Sequence, residues 1–347
     1  MSEQKQTPAT RQNRDISANT TDGSEGRHRM SYRDVAMHKV MLQDIVRTEA
    51  YQKSIESVVK SHHSVLDFGC GTGVLSMFAA RAGAKRVMAV DRSEFIQSAQ
   101  HIARANGFNN IDFYHDDHES LSLDEPVDVL VSEWMGHCLF YEAMLEPLLS
   151  LRDRYLKDDG IMIPSTLSLR MGLVNDEAIL EDLRFLHERP YGLDFSAIAD
   201  APLEQSDLVA LEPECMLESV ALLGTLNMKT LEKASTPRVF TAKLTPSETT
   251  DIYALCGWFS AQLSQGVEFG TGPFDTPTHW DQILFPLPKP FHVSPDKDIT
   301  ISLSPLTEQL GKEQFWSWSI SDGENTLSVN ELSLQRQRLK SVPQGKL

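Results

Sequence analysis

The stretch VLDFGCGTGVLSMF, residues 65 to 78, constrains the fold most. It starts as a short apolar strand, turns through three glycines and opens a run of helical spacing. A glycine-rich turn between a strand and a helix is the setting in which backbone N–H groups bind a nucleotide-like ligand. The residues that follow repeat the alternation. The first helix ends at Gly83. RVMAVD reads as a second strand, and SEFIQSAQHIARANG as a second helix with Ser93 as N-cap and Gly107 as stop. IDFY and PVDVLVSE are two more strands, and a helix through LLSLRDRYL carries Pro147 in its first turn. Strands alternating with helices predict an α/β fold, a parallel sheet covered on both faces.

A chain of 347 residues exceeds one ordinary core and suits two domains with extensions. Residues 1–27 are polar, with Ile16 the only large aliphatic after Met1, and are expected to be disordered. From Tyr32 to about Val59 the apolar spacing is helical. These features define a first domain over residues 28–164. After Pro164 the texture changes. Residues from Asp176 stay partly helical, and beyond about residue 205 DIYALCGWFSAQL, DITISLSPL and FWSWSISD alternate as strands. Residues 165–335 therefore read as an antiparallel β-barrel domain, with a polar tail over 336–347.

Composition excludes several classes. No apolar run reaches the roughly 18 residues of a membrane span, and no basic segment leads into an apolar core as in a secretory signal. Cys70, Cys138, Cys215 and Cys256 are scattered and give no zinc spacing, so no metal is expected and a reducing compartment, cytoplasm or nucleus, is. The formal net charge of −17 argues against direct nucleic-acid binding and is compatible with a basic protein partner.

The glycine spacing selects the ligand. Gly69, Gly71 and Gly73 are followed by Val74 where a dinucleotide fingerprint has its third glycine. Asp67 precedes the loop, and Asp91 ends the next strand, placed to accept hydrogen bonds from ribose hydroxyls. No phosphate-loop lysine is present. S-adenosylmethionine, a nucleoside with an amino-acid tail, fits better than a dinucleotide or a triphosphate. Two further groups carry chemistry. Glu133 and Glu142 stand nine residues apart in SEWMGHCLFYEAML, an otherwise apolar and aromatic segment. Carboxylates are rarely buried unpaired, so they hold either a ligand cation or a resident Arg or Lys. On the N-terminal helix His38, Met41, Asp44 and Arg47 recur every three residues, as one face of a site or as a surface ion pair.

Taken together, D-x-G-x-G-x-G with a strand-end acid is similar to the class I methyltransferases. SEWMGHCLFYEAML resembles the double-glutamate loop of protein arginine methyltransferases, PTHWDQ at 277–282 their threonine-histidine-tryptophan loop, and SYRDVAMHKVMLQDIVRTEAY at 31–51 their cofactor-covering helix. The resemblance covers about residues 30 to 330. It implies a Rossmann-like domain followed by a β-barrel, S-adenosylmethionine as cofactor, and Arg/Gly-rich protein substrates. Glu133 and Glu142 would grip the substrate guanidinium, a planar cation with five donors. Arg47 would hold the cofactor carboxylate beside His38. Asp44 would meet His279, orienting the substrate or accepting its proton. Met41 and Met144, with Tyr32 and Trp280, would line the acceptor pocket. The two methionines imply the type that makes asymmetric dimethylarginine. His118 and Glu119 are alternatives for the adenine contact.

Departures from the family pattern are also present. HRMSY, residues 28–32, keeps only Tyr32 of an expected aromatic stretch; His137 stands where an aromatic is usual; and Asp91 stands where Glu is usual. They leave open a second reading, a regulatory subunit that activates a catalytic relative. Residues 176–204 resemble the family's dimerisation arm, and Tyr191, Leu193, Phe195 and Ile198 would be unexplained exposure on a monomer. A homodimer or a hetero-oligomer with a related subunit is expected.

Overall fold

The structure is a computed structural model that describes residues 35–140, 144–233, 238–307 and 314–332. The segment 1–27, the HRMSY stretch with Tyr32, Glu142 and the tail 336–347 lie outside these residues.

Helices α1 (Val35–Gln43) and α2 (Ile45–Val58) come first. The sequence pattern runs through both as one helix; the structure interrupts it at Asp44. That residue is extended, at φ −74° and ψ 90°, and its carboxylate accepts from the backbone N–H of Arg47. Aspartate is a strong N-cap, and here the local bond to Arg47 outweighs continuation of the helix. The four residues spaced by three therefore do not share one continuous helix face.

The first layer is β1 (Ser64–Phe68), α3 (Val74–Arg81), β2 (Arg86–Val90), α4 (Ile96–Ala105), β3 (Ile111–Tyr114), β4 (Val127–Val131), α5 (Leu145–Tyr155) and β5 (Leu156–Ile163). The strands form one parallel sheet in the order β3-β2-β1-β4-β5. Their near-continuous apolar runs suit strands covered on both faces. Val65, Leu66, Val87, Val129 and Leu130 are fully buried. The order reverses between β1 and β4, and ligands of such sheets bind at that switch point, beyond the carboxyl ends of the strands. The glycine loop leaves β1 there and the Glu133 loop leaves β4 beside it, with Asp67 paired to Val131 in register. One boundary differs from expectation. Helix α4 starts at Ile96, capped by Phe95 without a side-chain bond, so Ser93 is not its N-cap. The Ser93 N–H instead donates to Asp91 Oδ1 at 2.8 Å, which folds DRSEF into a turn before the helix.

The second half comprises β6 (Thr166–Val174), α6 (Glu177–Leu183), β7 (Asp207–Val209), β8 (Met216–Asn227), β9 (Phe240–Leu244), β10 (Thr250–Ser264), β11 (Val267–Gly270), β12 (Gln282–Val293), β13 (Ile299–Thr307), β14 (Gln314–Ser321) and β15 (Thr326–Asn330). One antiparallel sheet runs β7-β12-β10-β6-β8 with β11 on β10, and a second runs β15-β14-β13-β9. This is a barrel-like antiparallel domain. Phe259, Phe285, Trp316 and Trp318 are buried within it, each worth roughly 2–3 kcal/mol in burial. Its core is continuous with that of the parallel sheet. Between α6 and β7 the chain runs in short 3-10 turns that expose Phe185, Tyr191, Leu193 and Ile198, with Tyr191 95% exposed. Among the described residues no helix is long and apolar enough to cross a membrane.

Candidate active site

The glycine loop is held by the strand-end acid. The Gly71 N–H donates to Asp91 Oδ2 at 2.9 Å, while Asp91 Oδ1 takes Ser93. One carboxylate oxygen therefore braces the glycine loop and the other the turn after β2, which the short reach of Asp favours. Gly71 sits at φ +51°, and a Cβ there would lie 3.1 Å from His38 Cε1. Glycine is required at this position for both reasons. His38 is buried, packs at a tilt against Phe95 with centroids 3.9 Å apart, and lies against the loop at Gly71. Asp67 is 1% exposed and accepts from Ser76 Oγ at 2.5 Å. Burial, with a smaller push from Asp91, raises its pKa to about 7 against the Ser76 hydrogen bonds.

Helix α2 delivers Arg47. Its Nη1 donates to Glu133 Oε2 at 2.8 Å and its Nη2 to the Met41 carbonyl at 2.9 Å. The side chains of both ions are nearly buried, at 6% and 11% exposure, which makes the pair strong in place and costly to break from one side. Tyr51, one turn further on, donates from its hydroxyl to the Ser132 carbonyl at 3.1 Å and fixes the base of the Glu133 loop. Burial, then the charge of Glu133, holds that phenol protonated, and Arg47 and Asp67 also act on it. These charges share one neighbourhood around the α2 helix.

Asp44 reaches the second domain. Its Oδ2 accepts from His279 N at 3.0 Å and from His279 Nδ1 at 2.7 Å. Burial opposes ionisation of Asp44, but the His279 and Arg47 hydrogen bonds outweigh it and hold the carboxyl below its ordinary range. A carboxylate only accepts, so His279 Nδ1 carries a proton, and in the neutral ring Nε2 presents its lone pair.

The Glu133 and His279 loops are joined to each other. Trp280 Nε1 donates to the Met135 carbonyl at 2.7 Å, and His137 Nδ1 donates to the Trp280 carbonyl at 2.6 Å. Trp280 is 2% exposed and stacks on Phe269, so its indole anchors the loop from within the core. The Glu133 loop closes with a bridge between Gly136 and Leu139 and places two consecutive non-glycine residues at positive φ, Cys138 at 48° and Leu139 at 70°. Such conformations persist only where packing dictates them. Both residues are buried, and Cys138 Sγ lies so close to Gly257 of β10 that a Cβ there would approach it to 2.8 Å.

Met41 and Met144 are partly buried, at the end of α1 and just before α5. His118 and Glu119 lie on the turn after β3. Arg154 holds that turn by donating to the His118 carbonyl at 2.7 Å, and the Glu119 side chain is exposed. No hydrogen bond among the described residues ties either to the glycine loop. The sequence reading missed Tyr51, Ser76, the bracing role of His137, and Gly257. Only Gly257 left a signal, a lone glycine inside the apolar strand pattern of DIYALCGWFSAQL.

The donor set fits S-adenosylmethionine. Arg47 Nε, Asp67 Oδ1 and Ser93 Oγ are buried polar atoms without hydrogen-bond partners among the described residues. A buried donor on a cation and a buried acceptor on an acid suit the carboxylate and ammonium of an amino-acid tail. No His/Cys/Asp/Glu group among the described residues has metal-ligand geometry.

Comparison with known proteins identifies the family. Residues 59–206 match the methyltransferase-domain family, and residues 168–314 match the arginine methyltransferase oligomerization subdomain. The chain is 34% identical over 265 residues to protein arginine N-methyltransferase 1 of Schizosaccharomyces pombe, covering 74% of this chain and 77% of that one. It is 36% identical over 293 residues to protein arginine N-methyltransferase 2 of Xenopus tropicalis, covering 79% of this chain and 66% of that one. Among solved structures it resembles the Trypanosoma brucei PRMT1 enzyme-prozyme heterotetrameric complex with AdoHcy, with a TM-score of 0.79, 28% identity, and 86% and 99% of the two chains covered. The glycine loop, the Glu133 loop and the histidine-tryptophan loop thus sit in a chain that belongs to the protein arginine N-methyltransferase family, with S-adenosylmethionine as its cofactor.

Proposed function

We propose that the chain forms monomethylarginine and asymmetric dimethylarginine in proteins, using Glu133 and Glu142 to hold the substrate guanidinium. The observation that carries this reading is the Arg47–Glu133 pair: Glu133 accepts a guanidinium donor at 2.8 Å in a nearly dry setting beside the glycine loop. The same carboxylate chemistry suits a substrate arginine. S-adenosylmethionine supplies an electrophilic methyl group on its sulfonium. The chain's residues orient the acceptor. Two carboxylates draw the guanidinium's positive charge toward the nitrogens they grip, leaving more lone-pair character on the third. Alignment of this kind is worth roughly 7–11 kcal/mol of barrier. His279, with its Nδ1 proton tied to Asp44, offers Nε2 to orient the substrate or take its proton.

Met41 and Met144 favour the asymmetric product, because flexible thioether side chains leave room for two methyl groups on one nitrogen. The charge of −17 favours Arg/Gly-rich substrates through long-range attraction. The exposed Tyr191, Leu193 and Ile198 suit burial in a dimer, with itself or a related subunit, and the scattered cysteines suit the cytoplasm or nucleus.

The test incubates the purified chain alone with labelled S-adenosylmethionine and an Arg/Gly-rich peptide, beside Glu142→Gln. Labelled asymmetric dimethylarginine that disappears in the variant is the expected result. Symmetric product alone would refute the methionine assignment. No transfer until a related subunit is added would identify the chain as a regulatory subunit instead.

A further inference from the structure

Five hydrogen-bonded links close a ring through the site. Asp44 accepts from Arg47 N, Arg47 donates to Glu133, Trp280 donates to Met135, His137 donates to Trp280, and His279 donates to Asp44. The backbone supplies the remaining steps, from Glu133 to His137 and from His279 to Trp280. Asp44, Arg47, Glu133 and His279 have chemical roles in the reading above, and Trp280 anchors its loop. His137 has no assigned role in transfer.

We propose that His137 is a positioning residue for methyl transfer: its Nδ1–H fixes the Trp280 carbonyl and thereby sets His279 relative to Glu133. This rests on the reading that Glu133 and His279 serve the transfer. The two loops meet through a reciprocal pair, indole N–H to the Met135 carbonyl at 2.7 Å and imidazole N–H to the Trp280 carbonyl at 2.6 Å. One bond alone would leave the loops free to swivel about it. Two, from Met135 and His137 on one loop to the indole and the carbonyl of Trp280 on the other, define an orientation. The residue held is well chosen. Trp280 follows His279, whose own N–H and ring are held by Asp44. His279 is thus gripped on its amino side by α2 and on its carboxyl side by His137. A carbonyl oxygen only accepts, so the bond requires the tautomer with its proton on Nδ1. Phenylalanine would fill the site without providing that donor. Asparagine provides an amide N–H near the Nδ1 position.

The test compares His137→Phe and His137→Asn with the wild type. The readouts are kcat, the KM for an Arg/Gly-rich peptide, and cofactor Kd by calorimetry. His137→Phe is expected to lower kcat about tenfold, the scale of one buried acceptor losing its donor, with cofactor Kd changed less than about twofold. His137→Asn should recover most of that loss. A kcat unchanged in His137→Phe, or equally low in both variants, would overturn the proposal. The second measurement does not depend on a variant folding or on turnover. Nitrogen NMR of the His137 ring in the wild-type protein should show the Nδ1–H tautomer with a slowly exchanging proton; the Nε2–H tautomer would refute it even if transfer needs a partner subunit.

Discussion

Asp44→Asn probes the junction between the two halves of the site. The carboxylate accepts three hydrogen bonds, from Arg47 N at 2.9 Å, His279 N at 3.0 Å and His279 Nδ1 at 2.7 Å. An amide has one acceptor oxygen. If that oxygen stays on Arg47 N–H, the helix cap survives and the amide nitrogen faces two donors of His279. The imidazole can then switch tautomer and accept through Nδ1, but the His279 backbone N–H is left unpaired. One charge-assisted bond becomes a neutral one and one buried donor goes unsatisfied, a loss of about 2–3 kcal/mol. With unfolding entropy of roughly 2 cal/mol/K per residue, this corresponds to a Tm about 4 °C lower. The tautomer switch also turns His279 Nε2 from acceptor to donor, so kcat should fall further than stability accounts for. Thermal unfolding of Asp44→Asn, His279→Ala and the double variant at pH 7 measures the coupling, expected to be at least about 1 kcal/mol. Additivity within about 0.5 kcal/mol would refute the reasoning. The pH dependence has a definite sign. The folded carboxyl lies below its ordinary value of 3.8, so its contribution is present above that value and is lost as pH falls through the folded pKa. The gap between wild type and Asp44→Asn should close in acid.

Two further substitutions separate binding from transfer. Glu133→Gln removes the counter-charge of Arg47 while keeping an acceptor for it; transfer should drop by about 100-fold or more in kcat/KM, while calorimetric cofactor affinity should hold or tighten if Arg47 grips the cofactor carboxylate, as the family resemblance implies. A weakened cofactor with normal turnover would exclude this division of labour. Gly71→Ala forces a side chain at φ +51° against His38, 3.1 Å away; about 1–2 kcal/mol of stability and roughly tenfold in cofactor affinity should be lost, read by thermal unfolding and calorimetry.

The α/β alternation was legible because each strand and helix there carries its own punctuation, as at Gly83 and Gly107. The break at Asp44 was not, because the apolar spacing of α1 continues into α2 and only the capping bond reveals the stop. The chemistry-bearing acids were legible as residue types. Their partners were less so. Asp44 meeting His279 came from family resemblance and holds in the structure, yet nothing in local sequence joins residues so far apart. Arg47 was expected toward the cofactor; its bond to Glu133 was not foreseen. Asp91 was expected to face a ribose; its bonds to the Gly71 and Ser93 N–H groups were not foreseen. In each case the residue type limits what can be bound, and the protein partners are set by three-dimensional neighbours that local sequence does not reveal.

The ring through Asp44, Arg47, Glu133, His137 and Trp280 also bears on assembly. Its cross-links join residues 86, 143, 145 and 235 positions apart. Contacts of such separation repay their loop-closure entropy only after the intervening chain has folded. Asp44 is made early by a growing chain and waits for His279, which emerges long after the parallel sheet is complete. A fragment ending with that sheet would keep the glycine loop but lack the partner that holds Asp44 and the indole that pins Met135. The geometry of this ring is therefore a property of the whole folded chain, absent from the nascent methyltransferase domain.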